Sequence, residues 1–182
     1  MSRKYSFKDP DKLYFISFAT VEWADIFTRP EYRNIIIDSW KYCQQKKGLE
    51  IYSWVLMTNH AHMIIGSHKE PLPSIVRDMK AYTSTSIHEC LVKHPRESRK
   101  AWMLNLFIEA GWQNSNNNKW QLWQQDNKPI EITSPEMFYQ KLEYIHRNPV
   151  KAGFVEHEED WLYSSARDFH GKKGLIELSY IV

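Results

Sequence analysis

The stretch EIYSWVLMTNHAHMIIGS, residues 50–67, contains two apolar runs separated by Thr58 and Asn59. The first run, Glu50 to Met57, is close to wholly apolar and rich in β-branched and aromatic side chains, as in a strand central to a sheet. Thr58-Asn59 is a short turn. The second run, His60 to Ser67, is a further strand. Side chains alternate along a strand, so His60 and His62 share one face while Met63 and Ile65 take the other.

Outward from this pair the pattern extends both ways. Upstream, Leu13 to Val21 (LYFISFATV) has strand composition. The segment RPEYRNIIIDSWKYCQQKKG that follows has Pro30 for a first helical turn and Gly48 for a stop, with Ile35, Ile36, Trp40 and Cys43 at helical spacing. Downstream, PLPSIVRDMKAYTSTSIHECLVK reads as a second helix, with Pro73 near its start and Ile75, Met79, Tyr82 and Ile87 on one side. The order β-α-β-β-α lacks one strand of a ferredoxin-like sheet, and KWQLWQQDN, Lys119 to Asn127, is the expected supplier. Between the second helix and that strand lie a basic run, a short apolar helix candidate and an Asn-rich tract, expected as a mobile surface loop over about 94–119. A last helix is set by TSPEMFYQKLEYIHRNPVKAG, where Ser134 can cap, Pro135 fits the first position and Pro149 ends the helix near Asn148. Phe138, Leu142 and Ile145 fall on one side, and Lys141, Tyr144 and Asn148 on another. The expected fold class is therefore α+β, a ferredoxin-like split β-α-β antiparallel sheet with helices on one face and an added C-terminal helix.

At 182 residues the chain suits one domain, 1–182 with a core of about 10–170, and can bury a real core. Hydrophobic residues at 42% and charged residues at 25% indicate a soluble globular protein, and a formal charge of +2 does not by itself announce a nucleic-acid binder. Cys43 and Cys90 lack metal-type spacing and suit reduced thiols. No apolar run is long enough to span a membrane, and the N-terminus lacks a signal-peptide core, so the cytoplasm is the expected location.

Two imidazoles on one sheet face can hold a divalent metal from one side and leave positions open for a third ligand and a substrate. Taken alone, a His-x-His pair is more often two polar residues on a solvated face. Tyr144 alone suits the core margin with its hydroxyl in water, and Asn148 alone suits turn chemistry before proline. Together they fit one mechanism. A tyrosine can act as a covalent nucleophile, and a metal beside it can polarise and orient a phosphate for in-line attack.

The combination TNHAHMII followed by YIHRNPVKAGFV, with LWQ at 122–124 and WLYSSARDF at 161–169, resembles the HUH single-tyrosine transposases, and within them the REP-associated branch. The resemblance spans roughly residues 10 to 170. It implies metal ligation by His60 and His62, a third ligand in Asn148, and Tyr144 as nucleophile. It further implies Mg²⁺ or Mn²⁺, and cleavage of single-stranded or hairpin DNA through a 5′-phosphotyrosine with a free 3′-hydroxyl. Relatives include dimers that share active sites and forms that act alone, so a homodimer stays open. The chain departs from the pattern at Ala61, where the motif favours a bulky residue. It departs again in QDNKPIEI, where many relatives run through aromatics to a histidine. The segment from Lys93 to Asn118 also looks longer than in compact relatives.

For DNA contacts, Lys141 and Arg147 come first because helical geometry keeps them near Tyr144. Arg77 and Lys80 on the second helix follow, with the cluster of Lys93, Arg96, Arg99 and Lys100. Trp120 and Trp123 are candidates for base stacking, with a core role the stronger reading for Trp123. Two alternatives compete: a domesticated hairpin DNA- or RNA-binding protein without cleavage, and a metal-dependent hydrolase using water, with Asp126 and Glu131 as carboxylate candidates.

Overall fold

A computed structural model describes residues 7–114, 120–125 and 127–180. Asp126 and the Asn-rich tract from Ser115 to Lys119 lie outside the described residues. The elements are β1 (Tyr14–Ala19), α1 (Pro30–Lys47), β2 (Leu49–Leu56), β3 (His60–Ser67), α2 (Leu72–Lys93), α3 (Lys100–Trp112), β4 (Ile130–Glu131), α4 (Pro135–His146), α5 (Asn148–Lys151) and α6 (Ala166–Phe169). A short 3₁₀ turn, Val21–Trp23, follows β1.

The sheet runs β2-β3-β1-β4, and every pairing is antiparallel. This is the strand order of the split β-α-β arrangement, since each helical crossover skips one strand. α1 begins at Pro30 and stops at Gly48, whose φ of 73° suits the left-handed helix cap that glycine adopts without strain. On one sheet face, Ile16, Trp54, Met63 and Ile65 join Ile36, Trp40, Ile75, Met79 and Ile87 of α1 and α2 in the main core. On the other face, Phe15, Val55, Met57 and Ile64 meet Phe138 and Ile145 of α4. A register shift between Ile51 and Ser53 keeps β2 in phase with both cores.

Three expectations are corrected. The fourth strand is Ile130–Glu131, whereas the described residues of Lys119–Asn127 form a single bridge, Trp123 to Thr20. Backbone bonds from Val21 to Leu122, Gln124 to Ala19 and Ser17 to Asn127 carry this segment along β1. Pro129 cannot donate a ladder bond, and Lys128 takes a φ of 43°, so the ladder is broken there. The expected loop over 94–119 contains α3, held to the core by buried Met103 and Phe107 while Trp102 and Trp112 stay exposed. On α2 the buried stripe is Ile75, Met79, Thr83 and Ile87, an i, i+4 series, and Tyr82 is exposed. Thr83 is admitted because its hydroxyl donates to the Met79 carbonyl and accepts from Trp123 Nε1.

The segment WLYSSARDF covers the outer edge of β2. Leu56 N–H donates to the Tyr163 carbonyl, Ser165 N–H to the Trp54 carbonyl, and Trp161 Nε1 to the Leu56 carbonyl. An edge that would otherwise offer unpaired backbone groups is thereby closed. No helix among the described residues is long and apolar enough to cross a membrane.

Candidate active site

β3 aims His60 and His62 at the face that α4 covers. The imidazoles lie with ring centroids 4.9 Å apart. His62 is the deeper of the two, 8% exposed, stacked on Phe15 at 5.6 Å. Its Nδ1 meets Ser17 Oγ at 2.6 Å, across the β1–β3 pairing that sets Ser17 opposite His62. Its Nε2 faces the Tyr144 hydroxyl at 3.4 Å. His60 Nδ1 meets Asn59 Oδ1 at 2.7 Å. Because an amide oxygen only accepts, Nδ1 of His60 carries the proton and Nε2 keeps its lone pair for a ligand. The Asn148 side chain lies near enough to the His60 imidazole to act on its pKa, which brings the third expected residue beside the pair.

α4 delivers Tyr144 for local reasons, and Asn148 opens the short α5 that follows it. Ser134 Oγ accepts from Met137 N–H at the helix start, and Phe138 and Ile145 press one side into the second core. That leaves Tyr144, four residues before Asn148, over the histidines. Tyr144 is 41% exposed, so a substrate can reach its hydroxyl. Behind it, buried His146 meets Ser165 Oγ at 2.9 Å and Ser53 Oγ at 3.3 Å. These bonds tie the end of α4 to β2 and to the edge-covering segment.

Burial holds the site histidines neutral. The His62 pKa is pushed down to about 3, first by burial and then by the charges of His60 and Lys141. His60 is also lowered by burial, partly offset by Asn148 and by Asp25. Neutral imidazole is the form that ligates metal. No group of three His, Cys, Asp or Glu that could hold a metal occurs among the described residues. A cation here would take two imidazole nitrogens and the amide oxygen of Asn148, a neutral set that fits a weakly held divalent ion completed by substrate oxygens. Glu131 does not belong to it. It pairs with Tyr14 on the far sheet face, three residues along β1 from Ser17, or roughly 10 Å.

The profile of the family described as Transposase IS200 like matches residues 14–116. The chain belongs to that family. The match takes in the histidine pair and stops short of α4, so Tyr144 and Asn148 lie beyond it. Among solved structures, this IS200-like chain is similar to a REP-associated tyrosine transposase bound to a REP hairpin, with a TM-score of 0.64 and 20% identity over 100% of this chain and 94% of that one. At that identity the likeness establishes the fold. A transposase-type protein of Deinococcus radiodurans R1 aligns with a TM-score of 0.44 and 17% identity over 80% of this chain and 94% of that one, too distant to carry an argument. No curated protein matches the sequence.

The basic candidates separate. Lys141 lies at the site, its Nζ 4.8 Å from the centroid of Phe15, and Lys151 Nζ lies 5.9 Å from that of Tyr144. Arg147 is exposed and pairs loosely with Glu143. Arg77, Lys93 and Arg96 are exposed on or after α2, away from the histidine face. Lys80 donates to the Gln124 carbonyl and Asn127, and Lys100 to the Val92 carbonyl. Arg99 donates to the Asp25 carbonyl and Thr28 and pairs with buried Glu97. These three hold the fold together. The sequence reading gave no role to Ser17, Asn59 or His146. Asn59 adjoins His60 in sequence, and His146 stands four residues after Leu142 on the apolar side of α4. Ser17 becomes visible only through strand register.

Proposed function

We propose that this transposase cleaves single-stranded DNA beside a hairpin and rejoins it through a covalent bond to Tyr144. The observation that carries the reading is the Tyr144 hydroxyl 3.4 Å from His62 Nε2, beside His60. A hydrolase would need a water-activating carboxylate, and a binding module would need none of these groups. The hairpin preference draws support from the similar structure, which was solved with a REP hairpin.

Tyr144 Oη attacks the phosphorus as the bond to the 3′ oxygen breaks, leaving a 5′-phosphotyrosine and a 3′-hydroxyl. The phenolic proton passes to solvent, and the departing 3′ oxygen takes one up. His60, His62 and Asn148 would hold a divalent cation, Mg²⁺ or Mn²⁺, which would supply positive charge to polarise the scissile phosphate. His62 Nε2 has one lone pair, which serves either the tyrosine hydroxyl or a cation. Ser17 and Asn59 fix the two rings so that Nε2 faces outward. Lys141 and Lys151 place positive charge where phosphate oxygens would lie. In this reading Tyr144, His60, His62 and Asn148 are all drawn from one chain, with residues 1–182 acting as one domain.

The test is capture of a denaturation-resistant protein–DNA adduct from a pool of hairpin oligonucleotides with randomised flanks in Mn²⁺. Tyr144→Phe should abolish the adduct and keep hairpin binding. An adduct that persists in that variant removes Tyr144 as nucleophile.

A further inference from the structure

Between β1 and Ala24 the chain adopts a conformation that its residues disfavour. Glu22 and Trp23 both take left-handed backbone angles, with φ of 51° and 53°. Two consecutive non-glycine residues in that region are strained, and they persist only where the surroundings hold them. Here Trp23 N–H donates to the Thr20 carbonyl, Ala24 N–H to the Val21 carbonyl, and Asn59 Nδ2 to the Trp23 carbonyl at 2.9 Å. Asn59 is the residue whose other amide atom fixes His60, so one side chain sets both the histidine and the strained turn.

The strain has a geometric result. The Trp23 indole is carried to the surface, 56% exposed, with its ring centroid 5.5 Å from that of His60 at 71°. Packing does not explain it, because Val21 and Ala24 on either side already fill the core. Beside the indole opens a groove of about 600 Å³ lined by Glu22, Gln113, Asn114, Gln121, Gln124 and Gln125 among others. Asn114, Gln121 and Gln124 hold bonds within the protein and shape the wall, while the exposed Gln113 and Gln125 present amides that offer both donors and acceptors, the chemistry of a nucleobase edge. The tryptophans suggested by sequence do not compete for this role. Trp123 is buried, and Trp120 packs against Phe107 and His88.

We propose that Trp23 is the stacking platform for the unpaired base next to the scissile phosphate, with the amide-lined groove receiving that base's edge. This rests on the reading of Tyr144, His60 and His62 as the cleavage site. A π-face beside a ligand of the phosphate-polarising cation orients the strand through its base while accepting any base. It supplies a hold on single-stranded DNA through the base, beside the charge that Lys141 and Lys151 offer the phosphates.

The experiment is a cycle between the indole and the base. The hairpin captured from the pool is resynthesised with an abasic residue at each of the three positions on either side of the cleavage point. Binding is followed by fluorescence anisotropy in a Tyr144→Phe background, so that chemistry plays no part. Trp23→Ala should weaken binding of the intact strand by about 5- to 100-fold, the range for loss of one stacked base. One abasic position should weaken it equally and show no further loss when combined with Trp23→Ala. Trp23→Phe should recover most of the affinity, and Mn²⁺ affinity by calorimetry should be unchanged. Losses that multiply at every position, or a Trp23→Ala protein that loses Mn²⁺ binding, overturn the proposal by making Trp23 a mere support for His60. An adduct formed normally while binding ignores Trp23 sinks this inference alone. Trp23-dependent binding with no adduct in the otherwise native protein sinks the cleavage reading alone.

Discussion

His62 and His146 are buried imidazoles; Glu158 stands 3.9 Å from His146 Nδ1, yet burial outweighs it. Burial first, with the charges of His60 and Lys141, brings His62 to about 3, and burial with nearby His170 brings His146 to about 4. In the unfolded chain both titrate near 6.5. Below that pH the unfolded state binds protons that the folded state refuses. The stability contribution is therefore complete above about pH 6.5 and is lost as pH falls towards 4. In chelator, the unfolding free energy should be lower at pH 5 than at pH 7 by roughly 2–4 kcal/mol. His146→Gln, which keeps a polar atom for Ser165, should remove about half of that dependence. Denaturant melts at the two pH values check this, and a flat profile would mean that the rings protonate freely in the fold.

At the scale of elements, legibility followed locality. The start and stop of α1 and the start of α4 are written in Pro30, Gly48, Ser134 and Pro135, because a cap is settled by the residues next to it; α4 stops earlier than expected, at His146, and Pro149 falls inside α5. β4 was misplaced because its partner is distant: register against Tyr14 and Phe15 chooses Ile130 and Glu131, and no feature of those two residues announces it. α3 was expected only as a short helix candidate within a mobile stretch, because its exposed tryptophans blur the apolar stripe that marks a surface helix. The Ser134 cap can be tested directly. Ser134→Ala should cost about 1 kcal/mol in urea denaturation, and Ser134→Asp should retain most of it. No change on Ser134→Ala would show that α4 is fixed by packing alone.

For the whole molecule, charge is spent sparingly. Lys80, Arg99 and Lys100 serve internal contacts, which leaves Lys141, Arg147 and Lys151 near the site and Arg77, Lys93 and Arg96 on outlying surface. A footprint of roughly four to six phosphates gives a log–log salt slope near −3 to −4 for hairpin binding. Lys141→Ala should lower its magnitude by about 0.7 and weaken every hairpin alike. Arg99→Ala should leave the slope unchanged and reduce the melting temperature instead. A slope unaltered in Lys141→Ala would remove that lysine from the phosphate path.

The placement of Tyr144 over the histidines of its own chain governs how inactive proteins behave in mixtures. Where catalytic groups are traded between subunits, two different cripples can rescue each other, since each mixed pair regains one whole centre. Here the tyrosine and the imidazoles are inherited together or lost together. Tyr144→Phe mixed with His62→Ala should yield no adduct at any ratio, and the initial rate for the native protein should rise with the first power of its concentration. A cell carrying one damaged and one sound copy of the gene would then lose activity only in proportion, with no poisoning of the sound product by the damaged one.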